Sequence, residues 1–353
     1  MSSSVIILFG GSSSERLVSV ASAQNVSAHL SDARCWFLTR LGAVFEVSPA
    51  ALALHQRPFE VEFSPAEKVP TWLTLDAAIH DAKARDAGVV FFLALHGGDG
   101  ENGVTQKLLE SHRVAYTGSD SVASAAAFDK PRAKELAAAK GATVAEAVVL
   151  PPMNVDSARR ELTGLLARSK RWVLKPRADG SSHGLSHLKL SEEVEAAAQT
   201  LAKLQLPYLA EVFVAGRELT VGVVDEALDG TPSALPVSEV RLIPGGAFDY
   251  EGKYLGRGTE EITPAQLTDA EAKAAQSLAV LTHQATGCFG YTRTDMILTP
   301  EGALVLLEIN TLPGMTKASF IPQQLAVAGR GLKAFLEGQL ELARARHRRA
   351  FVP

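Results

Sequence analysis

Over roughly the first 120 residues, short apolar runs alternate with stretches of helical spacing. Val5 to Phe9 and Val89 to Leu95 are continuous apolar runs of strand length, and the segment from about Arg16 to Leu30 reads as an amphipathic helix. Strand, helix and strand in that order predict a parallel sheet of the βα type. Each strand runs into a glycine turn, Gly10-Gly11 in the first case and His96-Gly97-Gly98 in the second. The carboxyl ends of strands are where open α/β sheets hold ligands.

The pattern then changes. Ala123 to Gly141 is rich in Ala and Lys and closes on a glycine, as an exposed helix does, and Leu150-Pro151-Pro152 reads as a connection. A second module follows, with a strand over Trp172–Lys175, a loop over Arg177–Gly184, a helix around Glu192–Leu204 and a strand entering at Leu209. From Glu211 the chain reads as strand, turn at Ala215-Gly216 and strand over Arg217–Val224, then as a long polar loop over Pro244–Pro264. Loops of that length in compact enzymes are commonly lids or binding loops. A helix over about Asp269–Thr286 and a hairpin over Tyr291–Asn310 complete the pattern.

The hairpin carries the sharpest chemistry. A four-residue turn over Thr299–Gly302 sets Leu298 opposite Ala303, Asp295 opposite Leu306 and Arg293 opposite Glu308. Residues opposite one another share a face, so this register gathers Arg293, Asp295, Glu308 and Asn310. Two carboxylates and an amide oxygen are hard ligands that suit Mg²⁺ shared with phosphates. A solvated strand face with an Arg–Glu cross-strand pair fits the same spacing.

Other positions suggest a triphosphate partner. Lys130 and Lys175 are placed to offer ammonium groups to phosphate oxygens, and Gly180-Ser181-Ser182-His183-Gly184 offers successive backbone N–H groups. The loop lacks the Walker A spacing, and taken alone a surface turn is the better reading of it. Glu211 and Glu218 bracket the Ala215-Gly216 turn and could accept from an adenine amino group and a ribose hydroxyl, or face solvent. Glu15 stands three residues after Ser12, the spacing of a capping box, at a glycine turn suited to a small anionic group. His96 reads either as a satisfied histidine or as a ligand contact.

Composition narrows the field. The chain has 353 residues, 21% of them charged, and a formal net charge of -4, with no basic stripe of the kind a nucleic-acid partner demands. The basic run within Leu342–Ala350 reads as a solvated helix turn or tail. Cys35 and Cys288 stand far apart in unrelated contexts, and no apolar run is long enough for a signal h-region or a membrane span. The expectation is a cytoplasmic protein with neither nucleic acid nor membrane as partner.

In order along the chain stand GGSSSERLVS, LHGGDGENG, AYTGS, FDKPRAK, VLKPRADGSSHG, GRELTVGV, FDYEGKY, GYTRTDM, LEINTLPGMT and SFIP, from Gly10 to Pro322. Their succession resembles the D-alanine:D-alanine ligases of the ATP-grasp superfamily. The resemblance implies a three-domain α/β and α+β architecture with a parallel-sheet, Rossmann-like N-terminal lobe over 1–122. A central lobe over 123–212 and a C-terminal lobe over 213–353 would hold ATP between them, and a homodimer is the family's habit. It also implies ligation of two D-alanines through an acyl phosphate, for peptidoglycan precursors.

By the same resemblance, Asp295, Glu308 and Asn310 hold two Mg²⁺ (or Mn²⁺), with Glu308 bridging. Lys130, Lys175 and Lys253 contact phosphates beside the loop serines Ser181 and Ser182, Glu218 binds the ribose and Glu211 the adenine side. Arg293 and the Gly314 N–H stabilise the tetrahedral oxyanion. Glu15 and His96 address the first D-alanine, and Ser319, followed by Phe320, the second. Glu15, Ser181 and Tyr254 resemble the trio that closes the lid. Asn102, His183, Gly252 and Phe320 depart from the usual family residues, which touches the second amino-acid subsite and the phosphate loop. A D-alanine:D-lactate or D-alanine:D-serine ligase, and a nucleotide-binding relative without turnover, are the alternatives.

Overall fold

The computed structural model describes residues 4–178, 184–242 and 259–351. Its first sheet has the order β3-β2-β1-β4-β5, formed by β1 (Val5–Gly10), β2 (Arg34–Leu38), β3 (Val44–Val47), β4 (Val90–Leu93) and β5 (Ala115–Tyr116). All pairs are parallel except β2–β3. The apolar run of β1 does not alternate because both its faces are covered. Ile7 and Phe9 enter one core with helix α1 (Arg16–His29), while Ile6 and Leu8 enter the other with α3 (Leu75–Arg85). A short α2 (Pro49–Leu54) and α4 (Val104–Ser111) complete this part.

The expected Ala123–Gly141 helix is two helices, α5 (Ser121–Phe128) and α6 (Lys130–Ala138). The break falls at Asp129, whose ψ of 95° is extended, and Pro131 in the first turn of α6 needs no N–H partner there. Asp129 spends its carboxylate on the Arg177 guanidinium at 3.0 and 2.6 Å.

The second sheet, β6-β9-β7-β8, is antiparallel and comprises β6 (Ala147–Leu150), β7 (Trp172–Pro176), β8 (Ser186–Leu188) and β9 (Tyr208–Val212). It packs against α7 (Val155–Arg168) and α8 (Glu193–Leu204) around Trp172, Leu162 and Leu201.

The third sheet runs β13-β12-β10-β14-β15, with β11 (Ser233–Ala234) beside β10. Its strands are β10 (Arg217–Val224), β12 (Ser238–Leu242), β13 (Thr259–Ile262), β14 (Tyr291–Leu298) and β15 (Leu304–Asn310). The end of the expected Pro244–Pro264 loop is therefore a strand, since β13 finds a ladder partner in β12. On β10, Leu219, Val221 and Val223 enter the core with α6 and α9 (Asp269–Ala285), leaving Glu218, Thr220 and Gly222 on the opposite face.

The C-terminal helices are α10 (Phe320–Val327) and α11 (Leu332–Phe351). The basic run forms the last turns of α11, where Arg348 and Arg349 are exposed as expected, but Arg346 is not solvated. Arg346 donates to the carbonyls of Tyr116 and Gly118 at 2.9 and 2.7 Å and lies over the rings of Tyr116 and Phe289. Phe335, Leu336 and Leu340 share the core of the first sheet with Ile321 and Tyr291, so the two ends of the chain pack on one another. Among the described residues, no helix is long and apolar enough to cross a membrane.

Candidate active site

The hairpin register differs from the expected one. Leu298 pairs with Leu304, because Thr299 and Ala303 close the turn by a 2.8 Å backbone hydrogen bond and Gly302 adopts φ 83°. The register then shifts between Asp295 and Met296, so that Met296 opposes Leu306 while Asp295 opposes Glu308 and Arg293 opposes Asn310. Leu304 and Leu306 belong to the core, and strict alternation would send Glu308 and Asn310 after them. The extra residue, Leu307, reverses the alternation and brings both to the face of Asp295.

On that face Asp295 accepts from three side chains. It accepts from Arg293 at 2.9 and 2.8 Å, from the amide of Asn310 at 3.3 Å and from the hydroxyl of Thr220, its cross-strand neighbour on β10. Glu308 is met by Lys130 from the first turn of α6, at 3.5 Å. Each carboxylate is thus paired with a cation. The donor set, two carboxylates and an amide with no histidine or cysteine, fits a hard divalent cation completed by phosphate oxygens and water. Among the described residues there is no group of three or more His, Cys, Asp or Glu able to hold a metal, so the amide oxygen of Asn310 would be a needed third donor.

One helical turn beyond Lys130, Lys134 points to Glu211 on β9, and Lys175 on β7 reaches the other oxygen of Glu211 at 2.5 Å. All three are buried. Burial first, and Lys175 second, push the Lys134 ammonium down to about 8. Burial also raises the Glu211 carboxyl, but Lys175 and Lys134 more than offset this and hold it below its ordinary value. Sequence reasoning missed Lys134, although its spacing of four from Lys130 in FDKPRAK puts both ammonium groups on one face of a helix.

Arg293, Asp295, Glu218, Gly314, Ser319 and Phe320 line one cavity. Ser319 stands at the N-cap of α10 without capping it; its hydroxyl accepts from the Thr316 N–H at 3.1 Å and lies 2.8 Å from the Thr316 hydroxyl. Gly314 is packed against it so closely that a Cβ there would lie 2.6 Å from Ser319 Oγ. The Arg293 guanidinium lies 5.9 Å from the Phe320 ring centre.

No capping box forms at Ser12 and Glu15. The helix begins at Arg16 with Glu15 as an N-cap that makes no side-chain cap bond, while the Glu15 N–H donates to Ser13. The buried Glu15 carboxylate instead lies against the turn after β4, where a Cβ on Gly97 would be 2.6 Å from its Oε2. His96 is buried with both ring nitrogens engaged, Nδ1 with the Leu312 carbonyl at 2.7 Å and Nε2 with the Ser22 hydroxyl at 2.8 Å. Burial lowers its imidazole below the ordinary value. Glu101, also missed, accepts from the Gly97 and Leu312 N–H groups at 2.8 and 3.0 Å. Burial first and Glu15 second push its carboxyl up to about 7. Ser181, Ser182, Lys253 and Tyr254 lie outside the described residues, as do His183 and Gly252.

Two family models match the chain, the D-ala D-ala ligase N-terminus over residues 4–119 and the D-ala D-ala ligase C-terminus over 136–341. The chain belongs to the D-alanine–D-alanine ligase family. Among curated members, it is 32% identical over 347 residues to the D-alanine–D-alanine ligase of Leptospira interrogans, covering 96% of this chain and 97% of that one. It is 36% identical to that of Syntrophobacter fumaroxidans, with 96% and 97% covered. The solved D-alanine-D-alanine ligase from Coxiella burnetii superposes with a TM-score of 0.78 at 25% identity, over 98% of this chain and 95% of that one. A D-Ala:D-Ser ligase from Enterococcus faecalis does so at 0.77, also at 25% identity, over 97% of this chain and all of that one. The chain is thus an ATP-grasp enzyme by fold and family.

Proposed function

We propose that this chain ligates two D-alanines to D-alanyl-D-alanine, converting ATP to ADP and phosphate through an acyl phosphate, for peptidoglycan precursor synthesis. The observation that carries the reading is the pairing of Asp295 with Glu308 on one strand face, flanked by Asn310, Arg293 and Lys130. Moving a phosphoryl group between anions requires charge neutralisation above all. Asp295, Glu308 and Asn310 would hold magnesium or manganese, which supplies that neutralisation when bound.

The chain's own residues do the rest. Lys130 and Lys175 offer ammonium groups to phosphate oxygens, Lys175 by leaving the Glu211 carboxylate it touches in this structure. Glu211, kept ionised by Lys134, then accepts at the adenine side, and Glu218 at the ribose. Arg293 and the Gly314 N–H, both lining the cavity, stabilise the oxyanion that forms when an amine attacks the acyl group. Glu15 orients the first amino acid, and Ser319 receives the carboxylate of the second.

The test is phosphate release from ATP with D-alanine as the only acceptor, with dipeptide measured alongside. Phosphate and D-alanyl-D-alanine in equal amounts support the reading. Phosphate release that ignores D-alanine sinks it. Adding D-serine or D-lactate measures the second-substrate choice, and a dominant mixed product at neutral pH would replace D-alanine as the second substrate.

A further inference from the structure

The loop after β15 presents Gly314 to the reaction cavity, and the peptide groups on either side of it are held by side chains from the first sheet's lobe. The Leu312 N–H donates to Glu101 Oε1 at 3.0 Å, and the Leu312 carbonyl lies 2.7 Å from His96 Nδ1. The Met315 N–H donates to Ser22 Oγ at 3.1 Å, and the Met315 carbonyl accepts from Asn25 Nδ2 at 2.7 Å. Pro313 has no N–H. Among the described residues the Gly314 N–H has no protein acceptor, so it is the unspent donor of a segment fastened on both sides.

Hydrogen-bond chemistry fixes the direction of this relay. A carbonyl only accepts, so His96 carries its proton on Nδ1. The bare Nε2 of the neutral ring then accepts from the Ser22 hydroxyl, 2.8 Å away. That hydroxyl, its hydrogen directed at His96, accepts from the Met315 N–H with a lone pair. The second oxygen of Glu101 accepts from Gly97, the residue after His96, at 2.8 Å, so one carboxylate ties the turn after β4 to the loop after β15. His96, Ser22 and Glu101 are all buried, and no ring nitrogen of His96 is left for a substrate.

We propose that Glu101, His96, Ser22 and Asn25 act as a clamp through which the N-terminal lobe sets the position of the Gly314 N–H. They are positioning residues. Their effect rests on the reading that this N–H meets the tetrahedral oxyanion, and on the principle that a misplaced donor costs rate more than ground-state affinity. The segment 312–315 belongs to the C-terminal part of the chain and its four holders to the N-terminal part, so the clamp makes the catalytic donor depend on how the two are docked.

Asn25→Leu separates positioning from folding. Asn25 Oδ1 is buried without a partner, so the substitution removes one orphaned polar atom while leaving the Met315 carbonyl without its donor. The thermal midpoint should stay near that of the parent. The kcat for D-alanine ligation should fall about 10- to 100-fold, the scale of a displaced catalytic group, with KM for ATP unchanged. Ser22→Ala, which frees the Met315 N–H, should show the same split and covers the case in which Asn25→Leu fails to fold. A kcat within twofold of the parent in either folded variant overturns the clamp, as does a loss that follows the thermal midpoint and raises KM for ATP equally. If the parent chain shows no D-alanine-dependent phosphate release, the function itself fails, an outcome distinct from an active parent with fully active variants.

Discussion

The β14–β15 hairpin and the Lys134–Glu211–Lys175 cluster both concentrate charge at one site, but they are built in opposite ways. The hairpin is local: one extra residue in β15, with Leu304 and Leu306 held in the core, decides which side chains share the face of Asp295, and Asp295 and Glu308 are neighbours because the ladder makes them so. The cluster draws its members from α6, β7 and β9 and is held by packing across separate parts of the chain. The hairpin holds its oxygens on one face by its ladder alone. The cluster pairs both Lys134 and Lys175 with Glu211, so its charges satisfy one another across three elements.

The sharpest break in this contrast is Glu308→Gln. It preserves shape but replaces one acceptor oxygen with an NH2 donor and removes the charge paired with Lys130, and turnover should fall on the order of 100-fold or more. Binding of Mn²⁺, followed by paramagnetic relaxation of water protons, should weaken in parallel while the circular dichroism spectrum stays that of the parent. Near-normal turnover would remove Glu308 from the metal set.

Lys134→Met addresses the cluster. With one cation gone, Glu211 holds Lys175 more tightly and surrenders it to phosphate less readily, so calorimetry should show ATP affinity reduced about tenfold, the scale of one buried charge interaction of 1–2 kcal/mol. D-alanine affinity should change little. An unchanged ATP affinity would make the cluster a structural ion network.

The same contrast explains what was legible in the sequence. The strands of the first sheet could be read because β1 and β4 are unbroken apolar runs that lead into glycine turns. The common face of Arg293, Asp295, Glu308 and Asn310 was legible for a partly mistaken reason: the expected register was off at the turn, and the bulge at Leu307 compensated. Neither Gly302 nor the Leu-Leu pair announces such a bulge, since its cost is settled by core packing of Leu304 and Leu306. Glu101 and Lys134 were overlooked because their partners, Leu312 and Glu211, are 211 and 77 residues away. Arg346 was misjudged for the same reason, because its carbonyl partners, Gly118 and Tyr116, are 228 and 230 residues away. The break at Asp129 depends on Arg177, which local helix propensity does not contain.

Smaller effects sharpen the local side. Gly302→Ala meets no atom within 4 Å but must hold φ 83°, so it should cost about 1 kcal/mol in chemical denaturation. Because the ladder beyond the turn is fixed by core residues, KM values should not move. A change in metal affinity would show that the turn, not the core, sets the register.

The smallest expected effect lies on β12. Glu239 accepts from Nε and Nη2 of Arg217, each at 2.8 Å, a pairing that outweighs burial and holds its carboxyl down to about 2. A carboxyl depressed in the folded state contributes stability above its ordinary value and loses it as pH falls toward the folded one. Thermal midpoints should therefore drop between about pH 4.5 and 2 in the parent chain, and Glu239→Gln should flatten that part of the profile. An identical profile in the variant would show that the pair is solvent-screened.

The central claim, that the paired Asp295–Glu308 face drives D-alanine ligation, is tested most directly by D-alanine-dependent release of phosphate from Mg²⁺-ATP, compared between the parent chain and Glu308→Gln. The account predicts release that rises with D-alanine, matches D-alanyl-D-alanine mole for mole and collapses in the variant. Release independent of D-alanine, or equal in both chains, would contradict it.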